Sequence, residues 1–205
     1  MISLESKGLG KWFGRRKIFE EIDFSLQDKV SLVVTGKNGS GKTTLLKILC
    51  GLIRPTQGQV LIRHDGENLT TDESRNHFGL VMPDLELYSE LTAMENLSFL
   101  SRIRGMIPTP EDLKKKIAWV GLEGRENDFV FSFSSGMKQR LKYAFALLHE
   151  PDIFLLDEPT ANLDDEGIEL VGKIISLQRE KGILIIATNR KEDFVYGDEI
   201  IQLGS

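Results

Sequence analysis

The run Gly36-Lys37-Asn38-Gly39-Ser40-Gly41-Lys42-Thr43 constrains this chain more than any other stretch. It fits G-x-x-x-x-G-K-[ST], and its flanks meet the structural condition that makes the pattern informative. Before it, Val30-Ser31-Leu32-Val33-Val34-Thr35 is apolar and β-branched, as a buried strand is. After it, Leu45, Leu46, Ile48, Leu49 and Leu52 recur at helical spacing. A strand, a glycine-rich turn and a helix in that order point consecutive backbone N–H groups inward and add the positive end of a helix dipole, which together cradle phosphate. In such a cradle Lys42 is expected to reach the outer phosphates and the Thr43 hydroxyl to ligate magnesium.

A second element completes the chemistry. Ile153-Phe154-Leu155-Leu156-Asp157-Glu158 is an apolar strand ending in two acids. In an open parallel sheet ligands sit beyond the carboxyl ends of the strands, so both acids are expected beside the phosphate loop. Asp157 is the expected second magnesium anchor, and Glu158 the general base for a water in line with the γ-phosphate.

The rest of the chain supports an α/β reading. Residues 1–35 read as short strands, with Ile18-Phe19 and Ile22–Leu26 alternating as half-exposed ones do. Residues 58–66 read as a glycine-bracketed strand, and residues 84–131 turn helical through Leu97, Leu100 and Ile103, then Leu113, Ile117, Val120 and Leu122. Helix 136–149, strand 153–156, helix 166–181 and strands 183–187 and 199–203 follow, an alternation typical of a parallel sheet flanked by helices. The length of 205 residues predicts a single domain over 1–205, with 84–131 as an inserted helical subdomain.

Charge and cysteine content narrow the partners. Acidic residues exceed basic ones, 31 to 26, and the net charge of −5 repels a nucleic-acid backbone, so no nucleic-acid partner is expected. Lys114-Lys115-Lys116 reads as a solvated helix face. The single Cys50 excludes an internal disulfide and fits a reducing compartment. The opening residues lack the apolar core of a signal peptide, and no apolar run approaches the ~20 residues of a bilayer span.

Phe133-Ser134-Ser135-Gly136-Met137-Lys138-Gln139-Arg140-Leu141 resembles the L-S-G-G-Q signature of the ATP-binding-cassette (ABC) ATPases, and Asp157-Glu158-Pro159-Thr160-Ala161-Asn162-Leu163-Asp164 resembles their carboxylate strand running into the D-loop. The resemblance covers essentially the whole chain. It implies a phosphate-loop NTPase core with a parallel sheet, an N-terminal antiparallel β region and the inserted helical subdomain. It also implies ATP and magnesium as ligands, phosphate contacts from residues 36–43 and Thr44, and Asp164 in the D-loop. Ser134, Ser135, Gly136 and Met137 then serve the γ-phosphate held by a second cassette, so a homodimer is implied. Phe13 falls where the family stacks an aromatic on adenine, with the adjacent Trp12 as its rival.

The chain departs from the family pattern at two catalytic positions. Pro83 stands where a glutamine contacts magnesium and the attacking water, and proline offers no side-chain donor. Asp84 beside it could ligate the metal but would add negative charge near the γ-phosphate. Asn189 stands where a histidine bonds the γ-phosphate; its amide donates but cannot become cationic. None of His64, His77 and His149 falls in that segment. Slower hydrolysis through Glu158 is expected. Leu91-Thr92-Ala93-Met94-Glu95-Asn96-Leu97 resembles the segment beside the family's permease groove, so a separate membrane permease is the expected partner and the inner membrane face the expected location. Within transporters the chain resembles the haem-exporter subunit of cytochrome c maturation and, through Gly-Met-Lys-Gln-Arg, drug or polysaccharide exporters. A soluble non-transport ATPase and a weak regulatory cassette in a heterodimer are the alternatives.

Overall fold

The computed structural model describes residues 1–204. Strands β1 (Ile2–Phe13) and β2 (Arg16–Gln27) form a hairpin; β3 (Ser31–Gly36) leads into helix α1 (Lys42–Leu49). Then come β4 (Gln57–His64), β5 (Glu67–Asn68), the short α2 (Thr71–Ser74) and β6 (Phe78–Val81). Helices α3 (Ala93–Ile103), α4 (Pro110–Trp119) and α5 (Ser135–Ala146) precede β7 (Ile153–Asp157), α6 (Asp165–Lys181), β8 (Ile183–Ala187) and β9 (Glu199–Leu203).

The strands form two sheets. An antiparallel one has the order β2-β1-β4-β5, and a wholly parallel one the order β6-β7-β8-β3-β9. Every residue of β7 and β8 is buried, as expected of strands covered on both faces. The N-terminal region differs from the short strands expected. Between Leu9↔Ile22 and Lys11↔Phe19 the β2 strand carries an extra residue, with Glu21 at φ 55, and Gly8 at φ 54 falls within another register shift. These bulges interrupt the period-two pattern, so two twelve-residue strands look like fragments. Strand β6 was not expected: four residues at a sheet edge are too few for periodicity to register.

Helix α1 lies between the two sheets. Leu45, Leu46, Ile48 and Leu49 pack in one core with Ile2, Leu4, Leu26 and Ile62 of the antiparallel sheet and Leu32, Leu155, Ile185 and Leu203 of the parallel one. The apolar face of this amphipathic helix thus meets side chains of both sheets, while Thr43, Thr44 and Lys47 lie on its other side, only partly buried. Burying each leucine contributes about 1.5–3 kcal/mol. Cys50 is buried here too, and desolvation pushes its thiol up to about 11, leaving it protonated and unreactive.

The chain divides into two compact units. The first comprises 1–82, 151–159 and 174–205 and holds both sheets; the second comprises 83–150 and 160–173. In the second, Thr92 and Glu95 cap α3 reciprocally, Thr109 caps α4 with Pro110 in its first turn, and the Ser134 hydroxyl caps α5 by accepting from Met137 N at 3.2 Å. Helix α5 stops at Ala146, short of the expected residue 149. Among the described residues no helix is long and apolar enough to cross a membrane.

Candidate nucleotide-binding site

Sheet register builds the site. Asp157 pairs with Ala187, and Ala187 with Val34, so β7, β8 and β3 end at one level. Glu158, Thr188-Asn189 and the loop from Gly36 therefore leave the sheet side by side. Glycine is required at both ends of that loop. Gly41, at φ 102, would carry a Cβ 2.3 Å from Ile18 Cγ2, and a Cβ at Gly36 would lie 2.5 Å from the Leu203 carbonyl oxygen. Gly41 precedes α1 and no side chain caps that helix, so its first N–H groups are left for an outside acceptor.

Two residues of α1 reach the strand ends. Lys42, 6% exposed, donates from Nζ to the Gly36 carbonyl at 3.0 Å and to Asn189 Oδ1 at 2.8 Å, and lies 3.9 Å from Glu158 Oε1. The Thr43 hydroxyl donates to Asp157 Oδ2 at 2.5 Å. Asn189 Nδ2 donates in turn to Asn38 Oδ1. The turn beyond β8 is held by the buried Thr188, whose hydroxyl donates to Asp193 Oδ2 at 2.6 Å and accepts from Arg190 N at 3.0 Å.

Glu158 adopts φ 48, a left-handed conformation that costs a non-glycine residue on the order of 1–3 kcal/mol. Its N–H donates to the Ala187 carbonyl at 2.8 Å, which holds it there. Burial pushes its carboxyl above the ordinary glutamate value; Lys42 opposes the rise and Asp157 adds to it. A carboxylate so raised is a stronger base than a free one.

The donor set fits ATP and magnesium. Thr43 and Asp157 supply hard oxygens side by side, the kind a magnesium ion takes. Ser40 Oγ is buried without a hydrogen-bond partner inside the loop, as a group awaiting a ligand would be. Lys37, Asn38 and Gly39 line the exposed rim, and Thr44 lies in the first turn of α1.

The remaining expected residues fall elsewhere. Phe13, at the end of β1, is 52% exposed with the Lys11 ammonium 4.8 Å from its ring centroid, whereas Trp12 lies against Gly10. Ser134, Ser135, Gly136 and Met137 begin α5 in the second unit. Asp164, in the same unit, accepts from Arg140 at 2.5 Å and from Gly167 N at 2.9 Å, capping α6. Pro83 offers its carbonyl to Lys142 Nζ at 3.1 Å. The buried Asn96 holds the following segment, accepting from Tyr88 N at 2.8 Å and donating to the Tyr88 and Thr92 carbonyls. The sequence reading missed Ser40 as an orphan and Lys142 altogether; no motif carries either.

A parallel sheet with this loop, a Thr–Asp oxygen pair and a glutamate beyond the next strand defines a phosphate-loop NTPase. The family model described as ABC transporter matches residues 19–161. An ABC transporter ATP-binding protein of Bacillus subtilis is 38% identical over 194 residues, 94% of this chain and 88% of its own length. The bacitracin transport ATP-binding protein of Bacillus licheniformis is 35% identical and the linearmycin resistance ATP-binding protein of B. subtilis 31%; each aligns with 91% of this chain, which spans 61% and 60% of their lengths. A dimeric ATP-binding cassette solved in a post-hydrolysis state with ADP and Pi superposes with a TM-score of 0.83 at 26% identity, covering 98% of this chain and 94% of its own. The chain belongs to the ABC transporter family and is an ATPase of that family.

Proposed function

We propose that this chain powers a separate membrane permease by binding and hydrolysing magnesium-ATP between two copies of itself, working at the cytoplasmic face of the membrane as one cassette with a helical subdomain over 84–131. The cluster of Lys42, Thr43, Asp157, Glu158 and Asn189 at one end of the parallel sheet carries this reading. Lys42 and the loop amides hold the phosphates, and Thr43 with Asp157 holds the metal. When bound, magnesium neutralises charge on the β- and γ-phosphates. Glu158 takes the proton of the attacking water at its carboxylate. Phe13 stacks on adenine. Ser134, Ser135, Gly136 and Met137 of each copy serve the γ-phosphate on the other, with Asp164 beside the shared boundary. The relatives named for bacitracin transport and linearmycin resistance favour an exporter whose cargo is of that kind over haem.

Purified parent, Lys42→Ala and Glu158→Gln proteins test the proposal with magnesium-ATP. We expect Lys42→Ala to lose binding, the parent to turn over, and Glu158→Gln to bind without turnover and to elute as a dimer. Unchanged hydrolysis in Glu158→Gln removes the base assignment. A parent that binds but does not turn over, yet pairs with a complete second cassette, replaces this reading with that of a regulatory cassette; Pro83 and the engagement of Asn189 by Lys42 are the observations behind that second reading.

A further inference from the structure

Pro83 removes the side chain that this position is expected to contribute, and the structure puts a lysine against what remains. Lys142 lies on α5, two turns from the end where Ser134, Ser135 and Gly136 sit. Its ammonium donates to the Pro83 carbonyl at 3.1 Å, and the carboxylates of Asp84 and Glu86 act on the same ammonium. We propose that Lys142 is a positioning residue: it clasps the 83–86 turn to the signature helix and fixes the backbone of a segment whose own side chain, at Pro83, makes no polar contact. This inference rests on the ATPase reading above and adds to it a residue that nothing in the motif assigns.

Three features support the clasp. Proline locks its own φ, which stiffens the backbone that presents the accepting carbonyl. The segment just beyond is pinned at Tyr88 and Thr92 by Asn96, so Lys142 holds the one end that Asn96 does not reach. The ammonium is half-buried, and desolvation lowers its pKa while Asp84 and Glu86 oppose the fall; with less water competing for its protons, the bond to the Pro83 carbonyl is stronger than an exposed one. The negative charge that Asp84 brings to this turn is thereby offset by Lys142 within the same unit. A turn held in place affects the catalytic step more than nucleotide affinity, because small misplacement of a catalytic segment costs rate.

The full chain is assayed as parent, Lys142→Met, Lys142→Gln, Lys142→Arg and Asp84→Asn, with kcat and KM for magnesium-ATP, thermal melting, and amide hydrogen exchange over residues 84–88. Lys142→Met keeps the apolar stem and removes donor and charge. We expect its kcat to fall about tenfold with KM within about twofold, exchange over 84–88 to quicken, and the melting temperature to stay near the parent's. Lys142→Arg should restore most of the rate and Lys142→Gln part of it. Combining Asp84→Asn with Lys142→Met should cost less than the sum of the two single effects. Unchanged kcat and unchanged exchange in Lys142→Met overturn the inference while leaving the ATPase reading intact. A kcat loss that tracks melting and is not restored by arginine reduces Lys142 to a stabilising residue and also overturns it. Absence of turnover in the parent overturns the ATPase reading, and this inference with it.

Discussion

Lys42 Nζ donates to Asn189 Oδ1 at 2.8 Å. The lysine of the phosphate loop and the asparagine beyond β8 are thus hydrogen-bonded partners, and the amide oxygen rather than its nitrogen faces the ammonium. A phosphate oxygen arriving at Lys42 exchanges one neutral acceptor for a charged one, which favours the ligand.

That relationship predicts the effect of a near-isosteric change. In Asn189→Asp a carboxylate would pair with Lys42, so the phosphate would have to displace a charged acceptor and approach an added negative charge. The dissociation constant for ATP should rise on the order of tenfold or more, about 1.4 kcal/mol per factor of ten. Isothermal titration reads it directly. Parent-like affinity would show that Asn189 does not face the bound phosphates.

Gly41→Ala tests the loop geometry. Alanine at φ 102 carries backbone strain, and its methyl would meet Ile18 Cγ2 at 2.3 Å, so the substitution should cost about 2–4 kcal/mol and abolish ATP binding. Gly39→Ala is the comparison: its φ of 79 is also positive, but no atom lies within 4 Å of the added carbon, so it should lose only the strain contribution. Urea unfolding of both variants separates clash from strain. Equal losses would refute the close approach at Gly41.

Asp198 sets an acid limit on stability. Its Oδ2 accepts from Ser31 N at 2.9 Å and from the Ser31 hydroxyl at 2.5 Å, and its Oδ1 accepts from Arg179 at 2.9 Å. The Ser31 hydroxyl, then Arg179, hold its carboxyl below the ordinary aspartate value of 3.8. A lowered acid contributes stability that is present above its unfolded value and is lost as pH falls through the folded one. The parent should therefore lose stability relative to Asp198→Asn as pH drops from about 5 towards 2, most steeply below about 4. Denaturant midpoints at each pH measure this. A constant difference between the two proteins across that range would exclude the linkage.

Much of the site can be read from local chemistry because its constraints are local. Gly36 and Gly41 are glycines because atoms of Leu203 and Ile18 stand where a Cβ would go, and Asp157 and Glu158 end a strand whose every residue is buried. The hairpin is harder to read because the bulges at Gly8 and Glu21 offset its faces midway. The contact between Lys142 and Pro83 joins residues 59 apart, and no spacing rule links a helix surface lysine to a carbonyl at a strand exit. Ser40 reads as an ordinary loop serine until its burial is known.

The placement of α1 between two sheets has a mechanical consequence. Leu45, Leu46, Ile48 and Leu49 are each at most 2% exposed and touch apolar side chains from both directions. Close-packed interiors resist compression and switch between discrete arrangements instead of yielding smoothly. The helix that begins at Lys42 is therefore wedged like an axle between two bearings, and it cannot travel without opening a cavity on one side. The work drawn from ATP must appear as displacement of other segments measured against this fixed member. An agent that loosened the packing around α1 would slow ATP turnover without touching a single atom of the phosphate loop.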